Sequence, residues 1–406
     1  MSPSLALDYA KRIEADLRGN ILPFWMHHAV DPANGAFLGS LTNDLVADRT
    51  AERGALLTCR ILWTFSAAYR RYGDAAYLAM AARAYTDLNT CFRDGTNGGY
   101  YWSVDAAGRV LRDRKQVYGQ AFAVYALTEY HLASGLRAPL DEATALFHLL
   151  EAHAADRRDG GYFEAFGRAW EPIDEVRLSA GDQNDPKSQN TLLHVMEAYT
   201  HLLRAWPEPA LHRALHALVT LMLDRVVNDA TGHLGLFFSA DWTPRSEKIS
   251  YGHDIEAAWL FTAASEVLRD DALAARIRKL AVRIADVTLV EGVDADGGVY
   301  NEGDPHGLTN TNKEWWPQAE AIVGFLNAYR FSGDERHFAA ALSTWDFVET
   351  RLIDRQHGEW FRGVTRDGAL LTAELKLSFW KCPYHNGRTG LEAPARLRAL
   401  AHQPQS

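Results

Sequence analysis

The chain has few cysteines and no long apolar run, and both shortages exclude classes of protein. Only Cys59, Cys91 and Cys382 occur among its 406 residues, with no CxxC spacing. A disulfide-stapled scaffold or a zinc finger needs more cysteines at closer spacing. No segment approaches the roughly 18 apolar residues of a membrane span. Residues 1–20 carry three acidic side chains, unlike a signal peptide. We therefore expect free thiols and a cytoplasmic location.

Positive charge is also scarce. Asp and Glu number 52 against 42 Lys and Arg, which gives a net charge of −10 at pH 7, and no run of basic residues occurs. Proteins that bind nucleic acids or anionic membranes neutralise phosphates with clustered Lys and Arg. We therefore expect neither nucleic acid nor a membrane as a partner.

What the chain does have is an internal repeat. A short loop of glycine followed by an aromatic or apolar residue occurs six times, at intervals of 61 to 72 residues. A near-constant period of this length is typical of a repeat architecture. The copies are Asn34-Gly35-Ala36-Phe37, Asn97-Gly98-Gly99-Tyr100, Asp159-Gly160-Gly161-Tyr162, Thr231-Gly232-His233-Leu234, Asp296-Gly297-Gly298-Val299-Tyr300 and His357-Gly358-Glu359-Trp360.

Two stretches with helical apolar spacing lie between successive glycine loops. After the first loop, Leu56, Ile61 and Phe65 share a helical face, Tyr72-Gly73-Asp74 breaks the pattern, and an Ala-rich stretch follows over 75–92. Each later loop continues into the pattern of a short β-hairpin. Because residues 5–29 supply a partner for the last stretch, the count is twelve helices.

The two ends of the chain decide between an open and a closed arrangement of these helices. The first and last predicted helices are as apolar as the middle ones, whereas an open array needs polar caps at both ends. We therefore predict an all-α fold, an (α/α)6 barrel of twelve helices with short β-hairpin loops at one end. The alternative is an open helical array. No linker divides the chain, which predicts a single domain over residues 1–406.

Polar and aromatic side chains recur near the start of the helix that follows each hairpin, 19 to 34 residues after the repeat glycine. Similar offsets in six repeats place them at one end of the inner ring, where a barrel of helices has its pocket. Helical spacing also puts His253, Glu256 and Trp259 on one face. The candidate site residues are Arg60, Tyr118, Asn190, His194, His253, Glu256, Trp259, Trp316, Glu320, Trp380 and His385.

This set of side chains suits a small sugar substrate, because aromatic rings pack on its C–H faces while polar groups bind hydroxyls. The chain has no Gly-rich phosphate loop, GxSxG or HExxH motif, and its histidines lack local metal-ligand spacing. We therefore expect neither a cofactor nor a metal. Hydrolysis would need a pair of carboxylates, whereas proton transfer at carbon suits histidines. Three histidines favour proton transfer over hydrolysis and over a non-catalytic sugar-binding protein.

Four segments carry a resemblance to a known family: 60–69 (RILWTFSAAY), 252–257 (GHDIEA), 313–320 (KEWWPQAE) and 380–386 (WKCPYHN). With them the chain resembles the N-acylglucosamine 2-epimerase superfamily, and most of all its cellobiose 2-epimerase branch. The resemblance implies an (α/α)6 barrel. It also implies cofactor-free epimerisation at C2 of the reducing-end glucose or mannose unit of a β-1,4 disaccharide, through a cis-enediolate.

The resemblance further implies roles for the matching residues. His253 and His385 match acid/base histidines, and His194 matches a third essential one. Glu256, one turn after His253, is expected to set its tautomer or raise its pKa. The matching sugar-binding groups are Arg60, Tyr118, Asn190, Glu256 and Glu320, and the matching stacking platforms are Trp316 and Trp380.

One segment departs from the family pattern. Where the family has Asn-Thr-His-x-His, residues 190–194 read Asn-Thr-Leu-Leu-His, so Leu192 replaces a histidine, and Gln189 replaces a methionine. We expect a change of substrate to arise in this third repeat. One alternative is a mannose 2-epimerase acting on free mannose and glucose, since that branch has a similar catalytic set. The other is an aldose–ketose isomerase of the same superfamily, which shares the enediolate. Both a monomer and a homodimer are consistent with the sequence.

Overall fold

A computed structural model describes residues 2–402 of the chain, and its helices form two concentric rings. The outer ring consists of α1 (Pro3–Asp16) with α2 (Leu22–His28), α4 (Ala75–Asp87), α6 (Ala138–Leu149), α8 (Pro209–Leu221), α10 (Asp271–Val287) and α12 (Glu335–Phe347). The inner ring consists of α3 (Ala55–Tyr72), α5 (Val117–Ser134), α7 (Gln189–Ala205), α9 (Tyr251–Leu268), α11 (Trp315–Ser332) and α13 (Tyr384–Ala401).

Every outer helix includes a π-helical turn of five residues. The turn Leu17–Ile21 joins α1 to α2, so the thirteen segments make twelve continuous helices within the described residues, as predicted. In the other five outer helices the turn ends the helix and leads the chain toward a glycine loop. These turns are Leu88–Phe92, Leu150–Ala154, Met222–Val226, Thr288–Gly292 and Val348–Leu352.

The rings close on themselves, which confirms the barrel and shows that the open array is wrong. Helix α13 packs against both α3 and α1. At the first contact Thr64 donates its hydroxyl to the carbonyl of Pro383 at 3.3 Å. In the outer ring Tyr9 of α1 donates to Asp346 of α12 at 2.7 Å.

Inner and outer helices differ in how much of their surface is covered. In α5, 14 of 18 residues are buried, because neighbours surround the helix on all sides. Outer helix α10 buries only a stripe that includes Leu273, Ile277 and Ile284, with charged residues on its other face. The breaker at Gly73 is confirmed, since Gly73 adopts a φ of 72° and closes α3 through a hydrogen bond to Tyr69.

Short antiparallel strands tie each repeat to the next. The strand that leads into an inner helix pairs with a strand in the loop of the following repeat, so these strands lie where the inner helices begin, as predicted. The five sheets are β1 (Arg53–Gly54) with β2 (Ser103–Val104) and β3 (Val110–Arg112), β4 (Lys115–Gln116) with β5 (Ala165–Phe166), β6 (Lys187–Ser188) with β7 (Phe237–Phe238), β8 (Ile249–Ser250) with β9 (Glu302–Asp304) and β10 (Gly307–Asn310), and β11 (Lys313–Glu314) with β12 (Gly363–Val364).

The structure also bears on the expected absence of a membrane span and on the cysteines. None of the helices in the described part of the chain has the length and apolar content that a membrane crossing needs. Cys59, Cys91 and Cys382 are free thiols, and the first and last of them are buried.

Candidate active site

A cavity of about 220 Å³ lies at the hairpin end of the inner ring. Most of its polar wall comes from the first two turns of inner helices, as the repeat offsets predict. Nine of the eleven candidate residues line it: Arg60, Tyr118, Asn190, His194, His253, Glu256, Trp316, Trp380 and His385. The rest of its wall consists of Leu178, Ser179, Asp182, Glu314, Trp315 and Arg362.

Three histidines reach this cavity, and each is held through Nδ1. His385 contacts Oε1 of Glu320 at 2.7 Å, and His194 contacts Oε2 of Glu197 at 2.9 Å. A carboxylate accepts hydrogen bonds, so Nδ1 carries the proton in both rings and Nε2 keeps a lone pair. His253 instead contacts the hydroxyl of Ser250 at 2.8 Å. Two of the three imidazoles are therefore backed by a carboxylate and the third by a neutral group.

The surroundings of these imidazoles keep them uncharged. Burial lowers the pKa of His253 to about 3, and the neighbouring His194 and His385 lower it further. Burial also lowers the pKa of His385 to about 3, against the opposing effect of Glu320. Both rings are therefore neutral near pH 7 and able to accept a proton.

Arg388 lies beneath the histidines and holds their carboxylate partners. Its Nη2 donates to Glu256 Oε1 at 2.6 Å and to Glu320 Oε1 at 2.7 Å, and its Nη1 donates to Glu197. Burial alone would raise the pKa of Glu320, but Arg388 and His385 hold it below its usual range. Burial and the Glu320 charge raise the pKa of Glu256.

On another part of the wall, Arg60 and its neighbours form a donor group. The Arg60 guanidinium donates to the Tyr118 hydroxyl at 2.7 Å and to the Trp380 carbonyl at 3.4 Å. Its carbon lies 4.4 Å from the centre of the Phe122 ring. Nε of Arg60 is buried and has no partner. A fixed, always-charged donor of this kind can stabilise negative charge on a bound molecule.

Two candidate residues are placed outside the cavity wall, and this corrects the prediction that they contact substrate. Trp259 donates from its indole to Glu320 Oε2 at 3.0 Å, and the Arg388 guanidinium lies 4.6 Å from its ring. Glu320 is fully buried behind His385. Both residues support the wall from below.

The expected contact between Glu256 and His253 is also wrong. Glu256 binds Arg388, and the partner of His253 is Ser250. The residues share a helix face, but the carboxylate turns toward the guanidinium because a buried charge needs a counter-charge. The pKa of His253 is accordingly lowered and not raised.

Comparison with known proteins identifies the family of the chain. The family model of N-acylglucosamine 2-epimerase (GlcNAc 2-epimerase) matches residues 35–386. This chain belongs to that family. As an epimerase it is an isomerase.

Individual relatives place the chain within the family. A cellobiose 2-epimerase from Bacteroides fragilis is 41% identical over 94% of this chain and 97% of its own length. The structure of a cellobiose 2-epimerase from Spirochaeta thermophila has a TM-score of 0.90, with 40% identity and 98% of each chain covered. A D-mannose isomerase from Marinomonas mediterranea is more distant, at 22% identity over 90% of this chain and 92% of its own.

One cluster in this epimerase has the composition of a metal site. Glu256, Glu320 and His385 bring ligand atoms within 4.8 Å of one another. The guanidinium of Arg388 already bonds to both carboxylates, so a divalent cation placed there would meet a like charge. The cluster therefore suits a network of ion pairs better than a metal.

Sequence reasoning missed the contribution of the third-repeat loop. Leu178, Ser179 and Asp182 lie between β5 and β6 and reach the cavity, and Ser179 donates to Asp182 at 2.6 Å. The signal was the third interval of 72 residues, the longest of the five. The extra residues form an irregular loop, whose position cannot be predicted from helical spacing.

The departure at Leu192 has a structural explanation in this epimerase. Leu192 is fully buried and lies outside the cavity wall, beneath the third glycine loop next to Gly161. At the matching position in the second repeat, Gln120 accepts a hydrogen bond from the Tyr100 amide at 2.9 Å. Leu192 therefore supports the glycine loop by packing where another repeat uses a hydrogen bond.

We expect Leu192→Ala to destabilise the protein without changing its affinity for sugar. Removing a fully buried leucine side chain lowers the free energy of unfolding by about 2–5 kcal/mol. Chemical denaturation measures that loss, and initial rates give KM. As a matched control, Leu178→Ala in the same repeat should raise KM, since Leu178 lines the cavity. A raised KM in Leu192→Ala at full stability would contradict this account.

A second expectation concerns acid. Between pH 6.5 and pH 3 an unfolded histidine binds a proton, whereas folded His253 and His385 do not, so falling pH favours unfolding. Above pH 6.5 both states are neutral and the two groups add no pH dependence. The Tm should therefore fall as the pH drops through this window, and His253→Asn should have a shallower decline. An equally steep decline in the variant would mean that His253 is not held neutral.

Proposed function

We propose that this enzyme epimerises, at C2 and without a cofactor, the reducing-end glucose or mannose unit of a β-1,4 disaccharide such as cellobiose. The observation that carries the proposal is a pair of neutral imidazoles on one aromatic ring. The Trp316 ring centre lies 4.7 Å from that of His253 and 5.7 Å from that of His385. Such a pair suits removal of a proton from carbon and its return on the other face.

The reaction begins with ring opening, because the C2 hydrogen of a closed sugar ring is not acidic. Moving the anomeric hydroxyl proton to the ring oxygen exposes an aldehyde, which acidifies C2. A neutral imidazole is suited to this transfer near pH 7. The cavity offers three such rings, at His194, His253 and His385.

Epimerisation follows through an enediolate. One imidazole takes the C2 proton, and the electrons of the broken C–H bond move into a C1–C2 double bond with negative charge on oxygen. The Arg60 guanidinium, always charged and held by Tyr118, stabilises that charge. The enediolate charge raises the pKa of the second imidazole, which takes up a proton from solvent and delivers it to the opposite face of C2, while the first imidazole returns the original C2 proton to solvent.

His385 is the stronger base of the two in this proposal. Glu320 accepts from its Nδ1 and stabilises the imidazolium that forms when Nε2 takes a proton. His253 has only the Ser250 hydroxyl behind it. The roles exchange between the forward and reverse directions, because each base faces one epimer.

The disaccharide preference rests on the relatives and on the third-repeat loop in the cavity wall. The 41% identity to a cellobiose 2-epimerase contrasts with 22% to a D-mannose isomerase. Leu178, Ser179 and Asp182 enlarge the wall beyond the helical residues, and we assign to them contact with the non-reducing unit.

The test is incubation in D₂O, separately with cellobiose, lactose, mannose and N-acetylglucosamine, read by NMR. Deuterium at C2 together with a gluco/manno mixture from cellobiose is the expected result. Absence of exchange and of epimer with every sugar would sink the proposal. Turnover of free mannose alone would favour the mannose epimerase, and a ketose product the aldose–ketose isomerase. Addition of EDTA should leave the rate unchanged.

A glycoside hydrolase fits the site less well. Hydrolysis needs an acid and a second carboxylate that both face the sugar. The three carboxylates that line the cavity are each held by a neighbour: Glu256 by Arg388, Asp182 by Ser179 and Glu314 by Arg362. Release of glucose from cellobiose in the same experiment would reverse this judgement.

Three wider assignments complete the proposal. Packing of α1 on α13 brings both ends of the described chain into one ring, which supports a single domain over residues 1–406. The free thiols support a reducing, cytoplasmic location. The site requires no partner beyond its sugar, and light scattering after size exclusion would separate a monomer from a homodimer.

A further inference from the structure

Arg388 is a fully buried arginine with an unusual number of carboxylate partners. It is 1% exposed and donates to Glu197, Glu256 and Glu320, which come from three other inner helices. It also donates to the hydroxyl of Tyr384 one turn earlier. One guanidinium thus joins four helices of the inner ring at a single point.

Two of those carboxylates hold histidines of the cavity. Glu197 uses its other oxygen to accept from His194, and Glu320 accepts from His385 with the same oxygen that faces Arg388. The guanidinium is therefore linked to each of these imidazoles through one carboxylate. It lies outside the cavity wall, so it has no route to the sugar itself.

A second cavity reaches Arg388 from the opposite end of the ring. It has a volume of about 220 Å³ and shares no lining residue with the sugar cavity. Its wall includes Glu197, Thr200, Arg204, Trp259, Arg388 and Arg396. A small solute entering there would meet Arg388 without passing through the sugar site.

We propose that Arg388 is a positioning residue for the epimerisation. It holds Glu197 and Glu320 ionised and fixed in direction, and through them sets the orientation of His194 and His385. The inference rests on the proposed function for its kinetic readout. The hydrogen-bonded chain from guanidinium to carboxylate to imidazole does not depend on that function.

The planar guanidinium is suited to this task, whereas an ammonium group is not. Two nitrogens of Arg388 point in fixed directions, one toward Glu197 and the other toward Glu256 and Glu320. Lysine carries one charged nitrogen on a flexible stem and cannot span the three carboxylates in that geometry. Arg388→Lys therefore keeps the positive charge but loses the directed hydrogen bonds of the guanidinium, so it tests the geometry alone.

The first experiment compares Arg388→Lys with Arg396→Lys on cellobiose. Arg396 is a matched control, because it lies two turns later on α13, lines the same far cavity and pairs with Glu392 instead. We expect kcat to fall about 100-fold in Arg388→Lys with KM nearly unchanged, the cost of displacing a catalytic group by about 1 Å. Arg396→Lys should keep wild-type kcat. Wild-type kcat in Arg388→Lys would overturn the proposal.

The second experiment uses Arg388→Ala and the pH profile of kcat/KM. Losing the guanidinium charge raises the pKa of Glu320 and that of His385, so the acid limb should move to higher pH. In Arg388→Lys the limb should stay in place. An unchanged limb in a folded Arg388→Ala would show a merely structural role and overturn the proposal.

The charged and titratable groups around this network are unchanged in sequence in both Arg388 variants. Those facing Arg388 or its partners are Arg60 of α3, Tyr125 of α5, His194 and Glu197 of α7, Glu256 of α9, Glu320 of α11, and Tyr384, His385, Glu392 and Arg396 of α13.

Free guanidinium should partly restore Arg388→Ala, because the far cavity opens onto the space that the side chain leaves. We expect a several-fold rise in kcat with guanidinium and none with sodium at equal ionic strength; equal effects of the two salts would contradict the proposal.

Should the wild type turn over no sugar, NMR titration of His385 in the free enzyme still tests the network. Its pKa should rise in Arg388→Ala, and an unchanged value would overturn the inference independently of the function.

Discussion

The variant His385→Asn should lose about 10³- to 10⁴-fold in kcat for C2 epimerisation while still binding sugar. Its imidazole has Nδ1 held by the Glu320 carboxylate, which leaves the lone pair of Nε2 to act as the base. Asparagine keeps an N–H group to donate to Glu320, but it is smaller than histidine and has no basic nitrogen. Initial rates with cellobiose measure the loss, and calorimetric titration measures sugar binding.

Isotope exchange makes this prediction sharper than a rate alone. If two bases serve the two faces of C2, His253 remains able to remove the proton from one epimer. In D₂O the variant should therefore place deuterium at C2 of one epimer of the disaccharide and not of the other. Equal exchange in both epimers would mean that His385 is not the base for its face.

Two companion variants show whether the loss is specific. Glu320→Gln keeps the shape of the partner but removes its charge, so its kcat should lie between those of the wild type and His385→Asn. His216→Asn alters an exposed histidine that pairs with Asp270 on the outer ring, and should keep wild-type activity. Loss of activity in His216→Asn would indicate a general effect of losing a histidine.

The ring and its count of helices were predictable because the glycine loops recur. Gly98 and Gly160 adopt φ values of 73° and 78°, a conformation that other residues rarely take, so glycine marks each loop in the sequence. The π-helical turns at the outer helices left no such mark. They depend on how each helix meets its neighbours, and tertiary packing overrides local propensity there.

The helix faces that point toward the candidate site were predictable, but how deep each residue lies along the barrel axis was not. Helical spacing correctly put His253, Glu256 and Trp259 on one face. An inner helix rises 1.5 Å per residue, however, so Trp259 lies about 9 Å deeper in the barrel than His253. At that depth the face meets Arg388 instead of the cavity. Helical spacing predicts which face of an inner helix points toward the barrel axis. Only the packing of the whole ring determines which turn of that helix borders the cavity.

Arg388 itself illustrates what pairwise sequence reasoning misses. It lies one turn after His385 and two residues beyond the segment that carries the family resemblance. Its importance comes from Glu197, Glu256 and Glu320, which are separated from it by 191, 132 and 68 residues. Contacts between residues so far apart in the sequence can be identified only in the folded ring.

The complementary variant, His253→Asn, should lose about 10²- to 10³-fold in kcat, less than His385→Asn. The Ser250 hydroxyl behind His253 stabilises an imidazolium less than the Glu320 carboxylate behind His385 does, so less rate depends on this ring. Ser250→Ala should cost still less, because it removes only the orienting hydrogen bond.

The pattern of exchange decides whether the two histidines work as a pair. His253→Asn should exchange C2 deuterium in the epimer that His385→Asn leaves untouched, since each variant retains the base for the other face. Mixing the two variants should not restore epimerisation through a free intermediate, because the enediolate stays bound beside Arg60 and Trp316. Exchange of the same epimer by both variants would point to a single base that reaches both faces, and the second imidazole would then act only in ring opening.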